Sequence, residues 1–480
     1  MTTENFKLNP EDLHRGVKLA MDSGEAANAA EAEAIFKGYR LVVEVGNDVQ
    51  HSAAHQAAVL SLVNAGRRAF LGGIYVRGSL DAELVVPSLF GGTTLREAIA
   101  ATGGKVNESV PSPAPIVLVG LATPSDAAPV VLRLTFDAWA GGVAPPEDSI
   151  VLREKPHDVL GAVLASAIAL SEVFQWLRER GRAANRVCGL SAWMPDADWT
   201  KDHDAPDVSL VPDNVWVLGL GHLGQAFLWA LSLLIGDQLD NLKVVLHDYD
   251  AIAKANDSTS LLTTPHLAGT LKTRVVAGSL EPHGVQTRLI ERKFNGRECI
   301  SDNEARVLFC GVDNGATRSV IDQAGFDLVV EAGLGNGWTD YLSLRLHTFP
   351  ASRVAAAIWS VDDEKDAPLD ARAYKDLERH GMDQCGLLQV ATRSVGVPFV
   401  GLVAATLSLG EMIRTLMGQI RYDVIDLSLR DPTIVDAVQV PTNEIGNFGY
   451  LERNLMPEVI AGQGIAIQRT RRNTASIDAN

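Results

Sequence analysis

Residues 214–230 read Asn-Val-Trp-Val-Leu-Gly-Leu-Gly-His-Leu-Gly-Gln-Ala-Phe-Leu-Trp-Ala. The apolar run 215–218 predicts a buried parallel strand, which leads through Gly219, Gly221 and Gly224 into a helix-forming segment. In this G-x-G-x-x-G pattern the first glycine permits a tight turn, the second lets the backbone approach a phosphate, and the third lets the helix pack on the strand. The pattern favours nucleotide binding at the helix N-terminus over a plain Gly-rich turn, but it does not specify the nucleotide.

The composition is that of a globular chain with more than one domain. Its 480 residues are long for a single domain, so two or three are expected. Apolar residues make up 46% of the chain and charged residues 21%, which allows substantial cores. The net charge of −17 disfavours a nucleic-acid partner held by phosphate contacts.

Targeting and redox signals are sparse. The first residues show no signal peptide, and the longest apolar run, 395–409, is short for a bilayer span. We therefore expect a cytoplasmic protein without a membrane partner. The four cysteines form no C-x-x-C pair, so no zinc site is expected, and such sparse use of cysteine suits a reducing compartment.

The second half of the chain alternates strand and helix patterns. This alternation predicts an α/β fold with a doubly wound, mostly parallel sheet of the Rossmann-like kind. The predicted strands are 215–218, 244–247, 307–310, 328–332 and 342–347, with helical patterns between the first four and a small-residue helix that ends near Met417.

The first half predicts a degenerate version of this arrangement. A strand at 41–45 precedes a helix at 51–65, but the turn between them lacks the glycine triplet. The other elements predicted here are two surface helices within 1–38, strands at 116–119 and 130–134, a Gly/Pro-rich loop at 138–149 and a helix at 158–180.

Two small-residue helices suggest that the halves are related. Residues 162–172 match 401–411 when Glu172 is placed on Glu411. Convergence of two buried helices would explain the match equally simply. The first half is then either a degenerate partner half or an unrelated recognition domain.

Charged residues follow the glycine loop at informative positions. Asp248 ends the second strand and can accept hydrogen bonds from ribose hydroxyls, as it would in a dehydrogenase. Asp250 is alternatively an ordinary loop or cap residue. Lys272, in a helical segment, would supply a point charge to phosphates, although a lone helical lysine is usually a solvated surface residue.

Asp313 follows another buried strand, in Cys310-Gly-Val-Asp-Asn-Gly-Ala-Thr-Arg318. A carboxylate at the carboxyl end of a strand, facing phosphates, predicts a magnesium ligand. The alternative is a helix N-cap, a position that aspartate also favours.

The ordered set of residues resembles the ThiF/MoeB/HesA superfamily, whose eukaryotic members are the ubiquitin-activating enzymes. The resemblance covers about residues 213–417. No single one of these motifs is specific to the family, but their order and separation along the chain are. The matching residues are Gly219, Gly221, Gly224, Asp248, Asp250, Asn256, Lys272, Asp313, Asn314, Arg318 and the Val397-Pro-Phe-Val-Gly401 entry to the last helix.

The resemblance implies an enzyme that binds ATP, Mg²⁺ and the C-terminal glycine of a ubiquitin-like or sulfur-carrier protein. The glycine carboxylate would attack the α-phosphorus, and pyrophosphate would leave. Asp248 would take the ribose and Asn256 would orient the phosphates. Lys272 would neutralise phosphate charge and Asp313 would hold magnesium, which agrees with catalysis by positioning and charge stabilisation.

The sequence departs from the family pattern in two places. Thr259 and Ser260 stand where the family carries Arg-Gln after the asparagine, so a phosphate-contacting arginine is missing from its usual place. The paired C-x-x-C zinc motifs of many bacterial members are also absent. The candidate substitutes are Lys254, Arg274 and, from the first half or a second subunit, Arg15, Arg40, Arg67 and Arg68.

Cys385 is the candidate nucleophile for a thioester. Activating enzymes that pass on a thioester keep a cysteine in a mobile segment in this region, and a thiolate can attack an acyl-adenylate. Arg393 or His380 would lower its pKa. The alternatives are a small buried residue and the remnant of a lost zinc ligand. Cys188, Cys299 and Cys310 lack this context.

The resemblance divides the chain and suggests its partners. The segments are a degenerate, inactive half (1–180), a linker (181–212), an active ATP-binding domain (213–417) with a mobile cysteine-bearing segment (360–386), an extension (418–468) and a disordered tail (469–480). The partners would be a ubiquitin-like protein and a conjugating enzyme. The chain would form a pseudo-dimer in cis, with a homodimer also open.

Three other functions remain open from the sequence. One is an adenylyltransferase for a sulfur carrier or peptide without thioester chemistry. Another is a dinucleotide-dependent oxidoreductase, which leaves Lys272 and Asp313 without a role. The third is a scaffold with a dead site, because the Arg-Gln pair is missing.

Overall fold

The computed structural model describes residues 9, 11–179, 181–298, 300, 304–359, 367–440, 448–453 and 455. The predicted tail, Cys299 and residues 360–366 of the predicted mobile segment lie outside this part. The first half builds a seven-stranded sheet. Its strands are β1 Arg40–Val45, β2 Gly73–Gly78, β3 Lys105–Val106, β4 Ile116–Val119, β5 Val131–Phe136, β6 Ala140–Ala144 and β7 Cys188–Ser191.

The second half builds an eight-stranded sheet, and a short two-stranded sheet, β8 with β17, lies beside it. The strands are β8 Leu210–Pro212, β9 Asn214–Leu218, β10 Lys243–His247, β11 Gln286–Ile290, β12 Val307–Cys310, β13 Leu328–Leu334, β14 Ser343–Phe349, β15 Arg421–Ser428, β16 Val435–Val440 and β17 Tyr450–Glu452.

The two sheets share one strand order. It is β3-β2-β1-β4-β5-β6-β7 in the first and β11-β10-β9-β12-β13-β14-β15-β16 in the second. In each sheet five parallel strands are followed by antiparallel ones, beginning at β6 and at β14. The predicted fold class, a mostly parallel α/β sheet preceded by a degenerate α/β half, is therefore confirmed.

Helices cover the sheets and fill the space between them. The described helices are α1 Arg15–Asp22, α2 Ala29–Gly38, α3 Ala53–Ala69, α4 Leu95–Thr102, α5 Val159–Glu179, α6 His222–Ile235, α7 Lys272–Leu280, α8 Gly315–Arg318, α9 Gly337–Asp340, α10 Arg372–Arg379, α11 Gln384–Ala391 and α12 Pro398–Leu416. Among them α3, α5, α6 and α12 pack against one another at the centre of the molecule.

Two of these helices, over Val159–Arg178 and Pro398–Leu416, are long and apolar enough to cross a membrane by length and composition. Inside the fold, 94% of one and 100% of the other is buried. This burial explains their apolar, small-residue composition, because both lie in the core between the sheets.

Glu172 and Glu411 hold equivalent positions, as their alignment predicted. Glu172 on α5 accepts the backbone N–H of Ala184 at 2.8 Å, just before β7. Glu411 on α12 accepts the N–H of Tyr422 at 3.0 Å, at the start of β15. Each buried carboxylate thus fixes the return of the chain from the core helix to the next strand.

The predicted loop at 138–149 contains the strand β6. The Gly/Pro-rich composition of this stretch predicted a loop because glycine is normally depleted in strands. Here a Cβ on Gly141 would lie 2.1 Å from the carbonyl oxygen of Gly161 on α5. The glycines are therefore required for the close approach of α5 to the sheet.

Three other expectations differ from the structure. The helix α1 was expected at the surface, but most of its residues are buried. Within the stretch 181–212, predicted as a linker, β7 completes the first sheet, so that sheet extends past residue 180. Likewise β15 and β16, within the predicted extension, belong to the second sheet. These strands join their sheets through pairing that composition does not show.

Replacing Gly141 with alanine is expected to lower the free energy of unfolding by about 2 kcal/mol or more, because the new methyl group would overlap the backbone of α5. The matched control is Gly278→Ala on the exposed face of α7, where a Cβ meets no atom within 4 Å. That change should stabilise by up to about 1 kcal/mol. Urea denaturation measures both, and equal stabilities of the two variants would contradict the packing argument.

Candidate functional site

The glycine loop connects β9 to α6 as predicted. Gly219 has a φ of 86°, which favours glycine, and a Cβ on Gly224 would lie 2.0 Å from the carbonyl oxygen of Gly219. Gly221 is different, because a Cβ there would meet no protein atom within 4 Å. No side chain caps the start of α6 among the described residues. The open space at Gly221 and the uncapped amides are what a phosphate requires.

Asp248, Asp250 and Lys272 converge beside this loop. The carboxylate of Asp248 accepts the N–H of Leu220 at 2.7 Å and the N–H of Asp250 at 2.8 Å. The ammonium of Lys272 is 2.9 Å from an Asp250 oxygen and 3.8 Å from an Asp248 oxygen. The structure therefore brings three predicted residues together at the carboxyl end of β10, on the side where such sheets bind ligands.

Asp313 lies on the loop after β12, and its side chain is exposed. The adjacent Asn314 accepts the N–H of Thr317 at 2.9 Å and thereby begins α8. Arg318 donates to the carbonyl oxygen of Val312 and pairs with the buried Glu331. The asparagine and the arginine of the motif thus shape the loop, and the exposed Asp313 remains its candidate metal ligand.

Asn256 has a local role in the structure. It lies in a 3-10 helix, Lys254–Ser258, and its side-chain oxygen accepts the N–H of Ala253 at 2.8 Å. Its predicted contact with phosphates stays a prediction.

Arg15 is the candidate arginine whose charge is influenced by Asp313. It begins α1, and its guanidinium donates to the carbonyl oxygen of Ser394 at 3.0 Å. Burial lowers the pKa of Arg15, and the nearby charge of Asp313 opposes that change. No described ion pair joins Arg15 to Asp313, so Arg15 stays a candidate for contact with ATP phosphates.

The other five candidate substitutes for the missing arginine form bonds or ion pairs with other groups. Arg67 forms a bidentate pair with Asp257, and the buried Arg68 donates to the carbonyl oxygens of Leu261 and Thr263. Arg40 donates to Gly38 and Ser112, Lys254 pairs with Asp12, and Arg274 pairs with Glu291. Of the six, the structure therefore favours Arg15.

His222 is a site residue that the sequence analysis did not single out. It lies between the second and third glycines, and its Nε2 is 3.4 Å from the carbonyl oxygen of Pro398 at the start of α12. Burial lowers the pKa of His222 to about 4, so the ring is neutral at pH 7. A Cβ on Gly401 would meet this ring at 2.5 Å. The only sequence signal was its place inside the glycine motif.

Cys385 lies in the first turn of α11 and is exposed. Its described contact is Gln389, whose amide is 3.8 Å from the sulfur. The two groups proposed to activate it are used elsewhere, since Arg393 pairs with Glu11 and His380 interacts with Asp376.

The other described cysteines are less suited to nucleophilic attack. Burial raises the pKa of the Cys310 thiol to about 12 and that of Cys188 well above its usual range. A thiol of this kind remains protonated at pH 7 and is a poor nucleophile.

The helix α1 joins the site to the segment that carries Cys385. The buried ammonium of Lys18 is 2.5 Å from Asp22 and donates to the carbonyl oxygen of Ala391, the last residue of α11. The hydroxyl of Tyr374 on α10 donates to the same aspartate at 2.5 Å. These bonds fix α10 and α11 against the helix that begins with Arg15.

The loop after β1 corresponds in position to the glycine loop after β9, but a side chain fills the space beside it. Asp48 accepts the N–H of Leu121 at 2.9 Å. Its carboxylate packs so closely on Gly46 and Gly120 that a Cβ added to either glycine would lie about 2.5 Å from a carboxylate oxygen. A carboxylate of the chain itself thus fills the space between the first and fourth strands, which repels a phosphate.

Fold and site together define an α/β protein of the Rossmann-like kind, in which one of two halves with the same strand order carries the glycine loop, the lysine and the exposed aspartate. The family model of the BilD C-terminal domain matches residues 211–419, and that of the BilD N-terminal domain matches residues 40–192. A bacterial E1-like protein BilD of Collimonas sp. (strain OK412) is 41% identical over 425 residues, which is 88% of this chain and 92% of that protein. The chain belongs to the BilD family.

Several solved structures resemble part of the chain more distantly. E. coli MccB with MccA-N7isoAsn is 14% identical, with a TM-score of 0.33 over 49% of this chain and 66% of that one. E. coli MccB with ATP is 15% identical, with a TM-score of 0.31 over 49% and 65%. PaaA is 12% identical, with a TM-score of 0.31 over 48% and 64%.

The N-cap of α1 should make the protein sensitive to acid. The Nδ1 of His14 accepts the N–H groups of Gly16 and Val17, and burial lowers its pKa from 6.5 to about 4. Because the unfolded chain takes up this proton near pH 6.5 and the folded chain does not, stability falls as the pH drops from 6.5 towards 4. His14→Asn keeps a hydrogen-bond acceptor at the N-cap. The free energy of unfolding of this variant should therefore fall by about 1 to 2 kcal/mol less than that of the wild type between pH 7 and pH 5.

Urea denaturation at pH 7 and pH 5 measures this difference. The control is His51→Asn at an exposed position, which should leave the pH dependence as in the wild type. His222 is present in all three proteins, so its contribution cancels. If His14→Asn lost as much stability between pH 7 and pH 5 as the wild type, His14 would not be the cause of the acid sensitivity.

Proposed function

We propose that this chain uses ATP to adenylate the C-terminal glycine of a ubiquitin-like protein. The observation that carries the proposal is the convergence of the uncapped amides at Gly221, the Lys272 ammonium and the Asp313 carboxylate at the carboxyl edge of three neighbouring parallel strands of the second sheet. Membership of a family whose relative is described as E1-like supports it.

In the proposed reaction a carboxylate oxygen of the glycine attacks the α-phosphorus of ATP. A phosphorus–oxygen bond forms, the bond to the β-phosphate oxygen breaks, and pyrophosphate leaves with its negative charge. The loop amides, Lys272 and Arg15 would stabilise the charge on the phosphates. Asp248 and Asp250 would bind the ribose and orient the lysine.

Asp313 fits the magnesium ion of Mg-ATP. Its carboxylate is exposed, and within the described part of the chain no side chain forms a hydrogen bond or ion pair with it. An oxygen ligand of this kind suits Mg²⁺, which would neutralise phosphate charge when bound. Asn314 would stay a support of the loop and not a ligand, because its side-chain oxygen caps α8.

The second proposed step is transfer to Cys385. Its thiolate would attack the carbonyl carbon of the acyl-adenylate, so that a carbon–sulfur bond forms, the bond to the phosphate oxygen breaks and AMP leaves. The thioester would then pass to a conjugating enzyme. A reducing cytoplasm would keep this exposed thiol free.

A second candidate function is adenylation without a thioester. It is favoured by the partners of Arg393 and His380, which are Glu11 and Asp376 and not the thiol. The substrate would then be a sulfur carrier or a peptide. A dinucleotide-dependent oxidoreductase remains less favoured, since it gives no role to Lys272, Asp313 or Arg15.

The first half would act as an inactive partner in cis. It has the same strand order as the second half, but Asp48 occupies the space beside its first loop. Its proposed contribution is structural, together with the stretch that supplies Arg15. One ATP per chain is therefore expected, whether or not the protein also forms a homodimer.

ATP–pyrophosphate exchange, measured with a ubiquitin-like protein that ends in glycine, tests the adenylation step. Asp313→Asn should lower exchange about 100-fold, a loss of about 2.7 kcal/mol in transition-state stabilisation. Arg15→Ala should lower it 10-fold or more. Arg40→Ala, a change of the same kind at an arginine bound elsewhere, should stay within twofold of the wild type.

The substrate's C-terminal glycine provides a further control, since its removal should abolish exchange. No exchange by the wild-type chain, or equal exchange by Arg15→Ala and Arg40→Ala, would overturn the assignment. Tight NAD binding without ATP binding would favour the oxidoreductase.

The thioester step has a separate test. Cys385→Ala should abolish a covalent adduct with the substrate that a thiol reductant cleaves, while exchange stays within about threefold of the wild type because the adenylation residues are intact. The adduct is detected on non-reducing gels. Gln389→Ala, at the described contact of the thiol, should retain it. An unchanged adduct in Cys385→Ala would exclude the cysteine, and exchange with no adduct in the wild type would favour the second candidate function.

A further inference from the structure

A cluster of titratable side chains lies away from the candidate site, where α5 begins. His157, Asp158 and Asp207 each present one possible ligand atom, and these three atoms lie within 4.8 Å of one another. The Nε2 atom of His157 is 3.8 Å from an oxygen of Asp158 and 3.9 Å from an oxygen of Asp207. An imidazole nitrogen facing two carboxylates is a set of ligands that divalent transition metals bind.

Asp158 gives evidence that is independent of this proximity. Its side chain is 1% exposed; Oδ1 is the oxygen 3.8 Å from the His157 ring, and Oδ2 of the same carboxylate has no hydrogen-bond partner within the described residues. It directly precedes α5, yet the described hydrogen bonds include none from the first turn of that helix to its carboxylate. A buried carboxylate oxygen without a donor is costly, and a bound cation would remove that cost.

The neighbouring cations are engaged with other groups. Arg153 pairs with Asp137, and both bonds of the Arg453 guanidinium go to backbone carbonyl oxygens, those of Val208 and His157. Lys155 is 3.0 Å from Asp207. In the described part of the chain, no lysine or arginine pairs with Asp158.

Asp207 leaves a path for an ion to enter. Its side chain is 43% exposed, so the cluster is open to solvent on that side while Asp158 forms its buried wall. Lys155 would be displaced towards solvent when an ion binds, which costs little because its pair with Asp207 is partly exposed.

We propose that His157, Asp158 and Asp207 bind one divalent transition-metal ion, with water completing its coordination. The mixture of one nitrogen and two carboxylate oxygens suits Zn²⁺ or Mn²⁺ better than Mg²⁺ or Ca²⁺, which prefer oxygen ligands alone. This inference does not depend on the proposed function.

The ion would connect two stretches that are distant in sequence. His157 and Asp158 lead into the core helix α5, whereas Asp207 lies in the stretch that joins the first sheet to the second. Arg453, near the end of the described chain, already bonds to both stretches at the same place. The role of the metal would therefore be to hold the connection between the halves against the first half.

The test uses the full-length protein after dialysis against EDTA and titration with Zn²⁺ in a competing chelator. All variants carry Asp313→Asn, which removes the carboxylate of the nucleotide site from the measurement. The parent is expected to bind one Zn²⁺ per chain and to show a rise in its melting temperature. Asp158→Asn and Asp207→Asn keep the side-chain shape and should weaken binding at least 10-fold.

Asp204→Asn is the matched control, since it makes the same change in the same stretch at a residue outside the cluster and should leave affinity unchanged. Asparagine also tolerates the positive φ of 53° at that position. Co²⁺ replacing Zn²⁺ should give visible absorption that Asp158→Asn loses. Binding no stronger in the parent than in the combined variant His157→Ala, Asp158→Asn, Asp207→Asn, or unchanged affinity in Asp158→Asn, would overturn the proposal.

Discussion

The guanidinium group of Arg68, buried between the two halves, supports the loop beside the candidate site together with that of Arg67, which pairs with Asp257 of the same loop. Arg68 belongs to α3 of the first half, and it donates at 3.0 Å to the carbonyl oxygens of Leu261 and Thr263 in the second. A buried charge without such partners would cost several kcal/mol. The loop is therefore held in the conformation that keeps these two carbonyl groups bonded to the guanidinium. On its other side, Gln225 of α6 accepts the N–H of Leu262 and donates to the carbonyl oxygen of Leu220 in the glycine loop.

The first half supports the second at this loop. The loop bonded by Arg68 contains Thr259 and Ser260, where the superfamily pattern that the sequence resembles has Arg-Gln. Arg15, one of the candidate substitutes, begins helix α1, most of whose residues are buried. The first half thus provides both the support of the loop and, from its N-terminal side, a positive charge near Asp313. It has kept the fold of its partner half while Asp48 fills the place of a phosphate.

Much of the fold followed from local pattern. The strand, glycine loop and helix at 214–230, the alternation behind them, and the match of Glu172 with Glu411 all depend on interactions between residues close in sequence or on simple periodicity. The strand β6 did not follow, because Gly141 is there to admit a helix 20 residues further on. Nor did β7, β15 and β16, whose assignment to a sheet depends on their pairing partners.

The sequence by itself determined the glycine loop and three candidate carboxylates, Asp248, Asp250 and Asp313, since each carboxylate follows a strand whose end defines one edge of the sheet. It also singled out Lys272, which begins α7 and meets Asp250 in the fold. Tertiary structure alone decided which partners the six basic candidates have. It also decided that Asn314 and Arg318 shape a loop, that the ring of His222 is neutral at pH 7, and that Arg393 and His380 lie with other partners than Cys385. The bonds of Arg393 to Glu11 and of His222 to Pro398 join distant parts of the chain, whereas Asn314, Arg318 and His380 bond to residues close in sequence through side-chain geometry that the sequence does not show.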